Sequence, residues 1–326
     1  MRVVFDVSSL EQTRAGTARH VRGLLAAIER RAEPDLEITR VSCEGAGKLA
    51  TVRRDGWWYP FRLSGKGADV LHCPTFRSPR RPGAPLVVTV HDAALLRMPD
   101  AFPLWHRVTG RRALTAGVRR ADAVVAVSEF TKRELIDLTG VPPERIRVVP
   151  NGLDPAFSGG ARSASPPGER RYALTVATLE PRKNLAAAVA AAEHAGIPLR
   201  VAGAAGWGGV TTSGWVGNPS DTELVELFRG ASCLVYPSLY EGFGLPVLEA
   251  MALGVPVVTS RGGATEEVAG GAAVLVDPHD VESIAAGIAE ALERREELVA
   301  RGLERAPTFT WDAAAGAVVE LWRELT

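Results

Sequence analysis

The feature that most constrains the fold is a repeated alternation of short apolar runs with longer amphipathic stretches. Apolar runs of this length predict buried strands, and the stretches between them predict helices. The predicted strands of the first half are Val3–Val7, Glu37–Val41, Val70–His72, Leu86–Val90, Ala123–Val127 and Arg147–Val149. The predicted helices there are Thr17–Arg30, Pro103–Arg119 and Glu129–Leu138. This order is typical of a parallel sheet with helices on both faces.

The alternation restarts after residues 158–170, a segment rich in Gly, Ser and Pro that is typical of a linker. The later predicted strands are Tyr172–Ala177, Leu199–Ala202, Cys233–Tyr236, Val255–Thr259 and Ala273–Val276. The later predicted helices are Asn184–Ala195, Thr222–Arg229, Val247–Leu253, Val281–Ala300 and a last one over residues 310–325. We therefore predict an α/β fold of two Rossmann-like, doubly wound domains, residues 1–157 and 171–309, facing a cleft. Ligands of such sheets bind outside the carboxyl ends of the strands.

Length and composition indicate an ordinary globular protein. The chain has 326 residues, of which 46% are hydrophobic and 23% charged, and no apolar run is long enough to span a bilayer. Its first residues predict a strand rather than a signal peptide. Cys43, Cys73 and Cys233 are few and scattered, which indicates neither disulfides nor a zinc site. We expect a cytoplasmic protein.

The charge is unevenly distributed although the net charge is zero. Residues 1–160 carry 25 Lys and Arg against 17 Asp and Glu, whereas residues 161–326 carry 13 against 21. Much of the excess lies between Arg107 and Arg120, just after Phe102 and Trp105. Two interpretations stay open, a solvated helix face or a peripheral contact with the inner face of a membrane. No nucleic-acid motif accompanies the charge, so we do not expect a nucleic-acid partner.

One strand–loop–helix segment of the second half combines two carboxylates with a glycine-bearing loop. The apolar run Ser232–Tyr236 is followed by Glu241 in the loop, and Glu249 lies in a helix that opens at Pro246. Ionised carboxylates are strong acceptors for sugar hydroxyls, and a helix start offers free N–H groups. The alternative is that Glu241 is an ordinary turn residue and Glu249 a solvated helix residue.

Two adjacent cations follow the first strand of the second half. Arg182 and Lys183 precede an alanine-rich helix for which Asn184 is the predicted cap. Cations at a helix N-terminus are unfavourable by about 0.3–1 kcal/mol each, unless an anion is bound there. A diphosphate would satisfy both side chains and the helix N–H groups. The alternative is a pair of surface charges that point into water.

These segments resemble glycosyltransferase family 4, which comprises retaining, nucleotide-sugar-dependent enzymes with the GT-B fold, and in particular its mannosyltransferase-like members. The resemblance lies in the run Glu241-Gly-Phe-Gly-Leu-Pro-Val-Leu-Glu249, a Glu-x7-Glu signature, and in the phrase Glu-Pro-Arg-Lys-Asn. It implies that Arg182 and Lys183 bind the donor phosphates and that Glu249 binds the ribose. It further implies that the donor sugar is held by Glu241 and the residues Phe243, Gly244 and Leu245.

The first half contains two further matches to the family. The Val-His-Asp run places His91 and Asp92 where the family has its active-site His-Asp, with the histidine reaching the donor sugar. The alternative is a histidine satisfied by a backbone carbonyl. Gly16 and Thr17, in the run Arg14–His20, resemble the family's first glycine loop, which approaches the donor phosphates. The alternative is an ordinary loop glycine before a helix.

Weaker matches complete the correspondence. Val216 and Gly217, after Trp215, resemble the loop that lies along the nucleotide base. Glu267 matches a family position, or braces a short helix. The helix at residues 310–326 resembles the family's C-terminal helix, which packs back on the first domain.

The resemblance implies transfer of a hexose from a nucleotide-diphosphate sugar to a hydroxyl of a glycan, glycolipid or small molecule. GDP-mannose is the predicted donor, with UDP and dTDP sugars open. The acceptor is expected to arrive through the Trp57–Arg62 and Phe102–Arg112 region. Since no Asp-x-Asp pair occurs, we expect no metal and no other cofactor. The implied catalytic residues are His91, Asp92, Arg182, Lys183 and Glu241.

The sequence has three alternative interpretations besides a transferase. One is a nucleotide-sugar epimerase of the same fold, and another is a non-catalytic protein that binds sugar nucleotides. The third is a dinucleotide oxidoreductase, which the missing Gly-x-Gly-x-x-Gly order disfavours.

Overall fold

The computed structural model describes residues 1–11, 16–45, 47–158, 172–207, 212 and 214–326. Residues 159–170 of the predicted linker and Gln12–Ala15 of the predicted glycine loop lie outside the described residues. The chain divides into two compact units. Unit 1 comprises Met1–Gly152 together with Thr310–Thr326, and unit 2 comprises Leu153–Phe309.

Strands and helices alternate along both units. The strands are β1 (Arg2–Asp6), β2 (Glu37–Val41), β3 (Val70–Cys73), β4 (Leu86–Val90), β5 (Ala123–Ala126), β6 (Ile146–Val148), β7 (Tyr172–Val176), β8 (Leu199–Ala202), β9 (Ala231–Tyr236), β10 (Val257–Ser260) and β11 (Val274–Val276). The α-helices are α1 (Gly16–Arg31), α2 (Lys48–Arg53), α3 (Ala94–Arg97), α4 (Arg111–Arg120), α5 (Glu129–Thr139), α6 (Leu185–His194), α7 (Asp221–Arg229), α8 (Leu245–Ala252), α9 (Ala264–Ala269), α10 (Val281–Glu293), α11 (Arg295–Arg305) and α12 (Trp311–Glu324).

Unit 1 contains a parallel sheet with the strand order β2-β1-β3-β4-β5-β6. Strands β4 and β5 are buried along their whole length, as expected where helices cover both faces. Helix α12 packs on α1 and contributes Trp311 and Trp322 to the same core as Phe5 and Leu24. A Cβ at Gly23 would lie 2.2 Å from the Trp311 ring, so only glycine allows this approach. The C-terminal helix is therefore part of the core of unit 1.

Unit 2 contains a parallel sheet with the order β11-β10-β9-β7-β8. Its core combines Val235 and Val258 of the sheet with Ile284 and Ile288 of α10. The chain leaves β7 toward β8 on one side and leaves β9 toward β10 on the other side. The carboxyl ends of β7 and β9 therefore form the switch point of the sheet, where α/β proteins of this type bind ligands.

Three helical segments differ from the sequence prediction. The predicted helix Val281–Ala300 is two helices, because the backbone at Arg294 leaves the helical conformation with ψ at 20°. The predicted helix Pro103–Arg119 is regular only from Arg111, after a wide π-type turn at His106–Gly110. Helix α2 and the π-type turn Arg54–Arg62 that continues it were not predicted.

No helix in the described part of the chain is both long and apolar enough to cross a bilayer.

Candidate active site

The switch point of unit 2 brings together the two loops that carry the predicted phosphate and sugar residues. Arg182 and Lys183 follow β7 in a short 3-10 turn, and Glu241 follows β9. The amide of Leu239 donates to the carbonyl of Arg182 at 2.8 Å, which joins the two loops through their backbones. Residues 58 positions apart in sequence therefore meet because β7 and β9 are neighbours in the sheet.

Arg182, Lys183, Tyr236 and Glu241 form a hydrogen-bonded cluster, which we call the switch-point cluster. Lys183 Nζ donates to Glu241 Oε1 at 2.5 Å and to Tyr236 Oη at 3.1 Å. The Tyr236 hydroxyl in turn donates to Glu241 Oε1 at 2.8 Å. Arg182 Nη1 donates to Glu241 Oε2 at 3.2 Å and to the carbonyl of Tyr240 at 3.1 Å. The charged side chains of the cluster are only 10–14% exposed.

The electrostatics of the switch-point cluster fix its protonation. Burial by itself would raise the pKa of Glu241, but the positive charges of Lys183 and Arg182 outweigh it and lower the pKa to about 2. Burial and the neighbouring Arg182 lower the pKa of Lys183, against the opposing effect of Glu241. Burial and Glu241 hold the pKa of Tyr236 well above its usual range. At neutral pH Glu241 is thus ionised and Tyr236 carries its proton.

A second carboxylate completes the charge balance around the two cations. Glu180 Oε2 accepts from Arg182 Nε at 3.0 Å and is itself nearly buried. The alternative that Arg182 and Lys183 are surface charges pointing into water is therefore wrong. Because Glu180 and Glu241 offset their charge, however, the position of the cations does not by itself require a bound anion. The sequence prediction missed the roles of Glu180 and Tyr236, although both lie in or beside the predicted motifs.

Asn184 does not cap α6 with its side chain, contrary to the sequence prediction. Its backbone adopts the left-handed conformation, with φ at 57° and ψ at 38°. Its side-chain Nδ2 instead donates to the carbonyls of Pro237 at 3.1 Å and Pro278 at 2.6 Å. These bonds join the loops that follow β7, β9 and β11. Asn184 thus stabilises the arrangement of the loops rather than the helix terminus.

The Glu-x7-Glu segment adopts the predicted strand–loop–helix form. Gly244 has φ at 108°, and a Cβ there would lie 2.8 Å from Thr265 Cγ2, so the turn into α8 requires glycine. Phe243 is buried and packs edge-on against Phe309, with ring centroids 5.7 Å apart. Leu245 is the first residue of α8. Glu249 is 2% exposed, which excludes the alternative of a solvated helix residue.

The predicted base-binding loop is attached to the carboxyl end of β8. The Val216 amide donates to the Val201 carbonyl at 2.9 Å, and the Gly217 carbonyl accepts from the Gly203 amide at 2.7 Å. Trp215 Nε1 donates to the Gly203 carbonyl at 2.9 Å. Two of the backbone groups expected to read a base therefore bond within unit 2. The side chains of Trp215 and Val216 remain exposed beside them.

His91 of unit 1 donates its Nε2 proton to the carbonyl of Pro74 at 2.9 Å. This is the backbone-satisfied arrangement that the sequence left open as an alternative. Because a carbonyl only accepts, the neutral ring has its lone pair on Nδ1. Burial lowers the pKa of His91, although the bond to Pro74 and the charge of Asp92 oppose the effect. His91 is therefore a neutral imidazole with an acceptor nitrogen.

The ring of His91 is positioned by a second histidine. The two ring centroids of His20 and His91 lie 4.7 Å apart in an edge-to-face contact. His20 Nδ1 and Asn151 Oδ1 are 2.7 Å apart, so His20 donates to the amide oxygen. Burial, followed by the neighbouring His91, holds the pKa of His20 well below its usual range. Sequence reasoning gave no role to His20, since it lies inside the predicted first helix.

Asp92 and Glu267 have local structural partners, and the predicted glycine-loop residues begin α1. Asp92 Oδ1 accepts from the Ala94 amide at 3.0 Å and so forms the turn into α3. Gly16 and Thr17 open α1, with Gly16 exposed. Glu267 lies in α9, where its carbonyl accepts from Arg305 Nη2 at 3.2 Å.

The two doubly wound parallel sheets are those of a GT-B glycosyltransferase, and unit 2 carries its sequence signature. Matches to known families agree with this class. The family model described as Glycosyltransferase Family 4 matches residues 15–157, and the one described as Glycosyl transferases group 1 matches residues 161–306. The chain belongs to glycosyltransferase family 4.

Individual relatives and solved structures agree with this assignment. The chain is 31% identical over 308 residues to the O-antigen chain mannosyltransferase B of Escherichia coli, covering 86% of this chain and 80% of that protein. The structure resembles sucrose-phosphate synthase from Thermosynechococcus elongatus with a TM-score of 0.77 at 19% identity, over 100% and 99% of the two chains. It also resembles Anabaena HepE, solved in complex with UDP-glucose, with a TM-score of 0.70 at 16% identity, over 99% and 100%. The protein is thus a mannosyltransferase-like glycosyltransferase with the GT-B fold.

Proposed function

We propose that the protein is a retaining, metal-independent glycosyltransferase that moves mannose from GDP-mannose to a hydroxyl of a glycan, glycolipid or small-molecule acceptor. The observation that carries the proposal is the switch-point cluster, in which Arg182 and Lys183 are both held on Glu241. The mannosyltransferase relative supports the sugar, and the UDP-glucose complex of HepE supports a nucleotide-sugar donor for this fold.

In this proposal the donor diphosphate binds at Arg182 and Lys183. An ammonium group carries three protons, and Lys183 uses two of them for Glu241 and Tyr236, which leaves one for a phosphate oxygen. The first amides of α6 lie directly after the cations and favour an anion. As the bond between sugar and phosphate stretches, negative charge grows on the leaving phosphate. Cations already fixed by carboxylates stabilise that charge without reorganisation, and they replace a divalent metal.

Glu241 has a second role toward the donor sugar. A carboxylate offers about four acceptor positions, and the bonds from Lys183, Tyr236 and Arg182 occupy three of them. The remaining position would accept a sugar hydroxyl, next to the backbone of Phe243 and Gly244 and the start of α8 at Leu245. Such an interaction selects the orientation of the sugar at the reacting centre.

The nucleoside would be held farther from the reacting bond. Glu249 would accept from the ribose hydroxyls. Val216 and Gly217 would lie along the base, with the exposed Val216 side chain as an apolar contact.

The family resemblance assigns further donor contacts to unit 1. The His91 ring is neutral, so its Nδ1 would accept a hydrogen bond from a sugar hydroxyl rather than deliver a proton. Asp92 would keep His91 in position through the turn into α3. Gly16 and Thr17 would bring the backbone at the start of α1 close to the donor phosphates.

We also propose a cytoplasmic location at or near the inner face of the membrane. Three free cysteines, all buried, agree with a reducing compartment.

The test is a comparison of two arginine substitutions in unit 2. A thermal-shift panel of nucleotide sugars first identifies the donor, since a ligand that binds the folded state raises its melting temperature. Turnover of that donor is then measured for Arg182→Ala and for Arg301→Ala, an exposed arginine of the same unit that pairs with Glu297 on its own helix. We expect a loss of about a hundredfold or more for Arg182→Ala alone. Equal turnover in the two variants would overturn the assigned role.

A further inference from the structure

Unit 1 exposes three large apolar side chains just before α4. Leu104, Trp105 and Val108 are 70%, 54% and 47% exposed. Leu104 and Val108 are four residues apart in a helical turn, so they lie on the same side of it. Exposed apolar side chains that cluster in this way mark a surface that meets a partner or a membrane.

The same segment borders an open groove of about 730 Å³. The floor and walls of the groove combine apolar side chains with arginines, and the described lining includes no carboxylate. Its lining residues are Leu96, Leu104, Arg107, Val108, Arg111, Arg112, Thr115, Ala116, Arg119 and Leu138. We call this surface the α4 groove. It lies in unit 1 and shares no residue with the switch-point cluster.

The arginines of the α4 groove differ in how far their charge is already neutralised. Arg107 pairs with Asp100 at 2.7 Å, and Arg119 donates to the carbonyl of Thr139 at 3.2 Å. In the described part of the chain, Arg111 and Arg112 enter no ion pair, and both are exposed on the first turn of α4. Two adjacent unpaired cations repel each other unless an anion lies near them. In contrast to the switch-point cluster, no carboxylate of the described chain supplies one here.

From this combination we propose that the α4 groove is a docking surface for a bilayer of anionic phospholipid. Arg111 and Arg112 face the headgroup phosphates, while Leu104, Trp105 and Val108 enter the boundary between headgroups and acyl chains. Charge complementarity selects an anionic partner, and the exposed apolar residues select one with an apolar layer beneath its charge. Tryptophan suits this boundary because its ring is apolar and its N–H is polar. The inference rests on the proposed location near the inner face of the membrane.

The test uses sedimentation of the full chain with vesicles of phosphatidylcholine alone and with about 30% phosphatidylglycerol, the mixture that supplies anionic headgroups. We expect binding to the anionic vesicles only. Arg111→Glu/Arg112→Glu should weaken it by at least about thirtyfold, since each basic residue near such a surface contributes about fivefold. Leu104→Ser/Trp105→Ser should weaken it as well. The control is Arg22→Glu/Arg145→Glu, which changes the net charge by the same amount at two exposed arginines outside the groove. Its affinity for the anionic vesicles should stay within about threefold of the wild-type affinity.

Several outcomes would overturn the proposal. One is equal binding of all variants, and another is no binding by the wild type. A third outcome combines two results: Leu104→Ser/Trp105→Ser binds as well as the wild type, and soluble glycerol phosphate competes completely with the vesicles. It would show that the groove is a phosphate site and not a bilayer surface. A dimer that sedimentation velocity detects in the wild type and not in the groove variants would show that a second copy covers the groove. A rise in melting temperature on adding the donor verifies that each variant is folded. Turnover with a water-soluble acceptor tests the proposed function without a membrane, so failure of the membrane proposal can be distinguished from failure of the proposed function.

Discussion

Replacing Lys183 by methionine tests how the switch-point cluster is held together. Methionine is similar in length but neutral, so the change removes the cation that lies 2.5 Å from Glu241. Glu241 then keeps Arg182 at 3.2 Å and Tyr236 at 2.8 Å. A nearly buried carboxylate is left with one cation instead of two.

The structure gives the size of the effect. The fall in the pKa of Glu241 from its ordinary value of 4.5 to about 2 corresponds to about 3 kcal/mol of stabilisation of the ionised form. Lys183 is the largest favourable contributor, so Lys183→Met should cost unit 2 about 2 kcal/mol at pH 7. Because the pKa of Glu241 is lowered on folding, this contribution is present above pH 4.5 and is lost as the pH falls toward 2.

A double substitution separates stability from catalysis. Lys183→Met/Glu241→Gln removes both charges together, so neither is left buried without its partner. The free energy of unfolding of unit 2 should therefore recover to within about 1 kcal/mol of the wild-type value. Glu241→Gln alone should cost about as much as Lys183→Met, so the coupling energy between the two sites should be at least about 2 kcal/mol. Turnover should not recover, because the phosphate cation and the sugar acceptor are both missing.

The assay is hydrogen exchange of peptides from β7 and α6 at increasing urea, which reports the unfolding of unit 2 by itself. The exposed pair Arg301 and Glu297 is the control, and its substitutions should couple by less than about 0.5 kcal/mol. If the effects of Lys183→Met and Glu241→Gln simply add, the two side chains do not stabilise unit 2 as a pair.

Two further predictions concern other parts of the fold. Gly244→Ala should cost unit 2 about 2 kcal/mol, because φ is 108° and the new Cβ would contact Thr265. Gly262→Ala, with φ at 82° and open space, should cost only about 1 kcal/mol in the same exchange assay. In unit 1, burial lowers the pKa of His72 to about 3, and its neutral Nδ1 accepts from Trp322 Nε1. The free energy of unfolding of unit 1 should therefore fall by about 1.4 kcal/mol for each pH unit between 6.5 and about 3 because of this residue. A pH slope that is unchanged in His72→Gln would contradict this.

Much of the fold could be predicted because the strands are short apolar runs with clear ends. The predicted bounds of β2, β4 and β8 coincide with the observed ones, and Pro85 and His91 mark the two ends of β4. The α/β class and the GT-B fold are confirmed. The order of strands within each sheet could not be derived from these runs, because all buried parallel strands have similar composition.

The helical segments that escaped prediction contain residues that disguise the helical pattern. Gly56 and Pro60 lie inside the π-type turn Arg54–Arg62, and both residue types ordinarily indicate a loop. The break between α10 and α11 falls at Arg294, inside a run of charged residues with no glycine or proline to mark it. Local composition therefore gave no signal at either place.

For the candidate site, the residue types could be predicted but their partners could not. Arg182, Lys183 and Glu241 were found from motifs, and the structure brings all three together. Their contact depends on β7 and β9 being adjacent, which is a property of the sheet. For the same reason, the bonds of Asn184 to two distant loops were missed, and a cap was predicted instead.

The most direct test of the central claim compares a nucleotide with its nucleoside. The nucleoside diphosphate of the identified donor and the nucleoside alone are titrated calorimetrically into the wild type and into Arg182→Ala. We expect the affinity for the diphosphate to fall by about ten- to a hundredfold in Arg182→Ala, since a hydrogen bond to a charged group is lost, while the affinity for the nucleoside is unchanged. Equal diphosphate affinities in the two proteins would contradict this expectation.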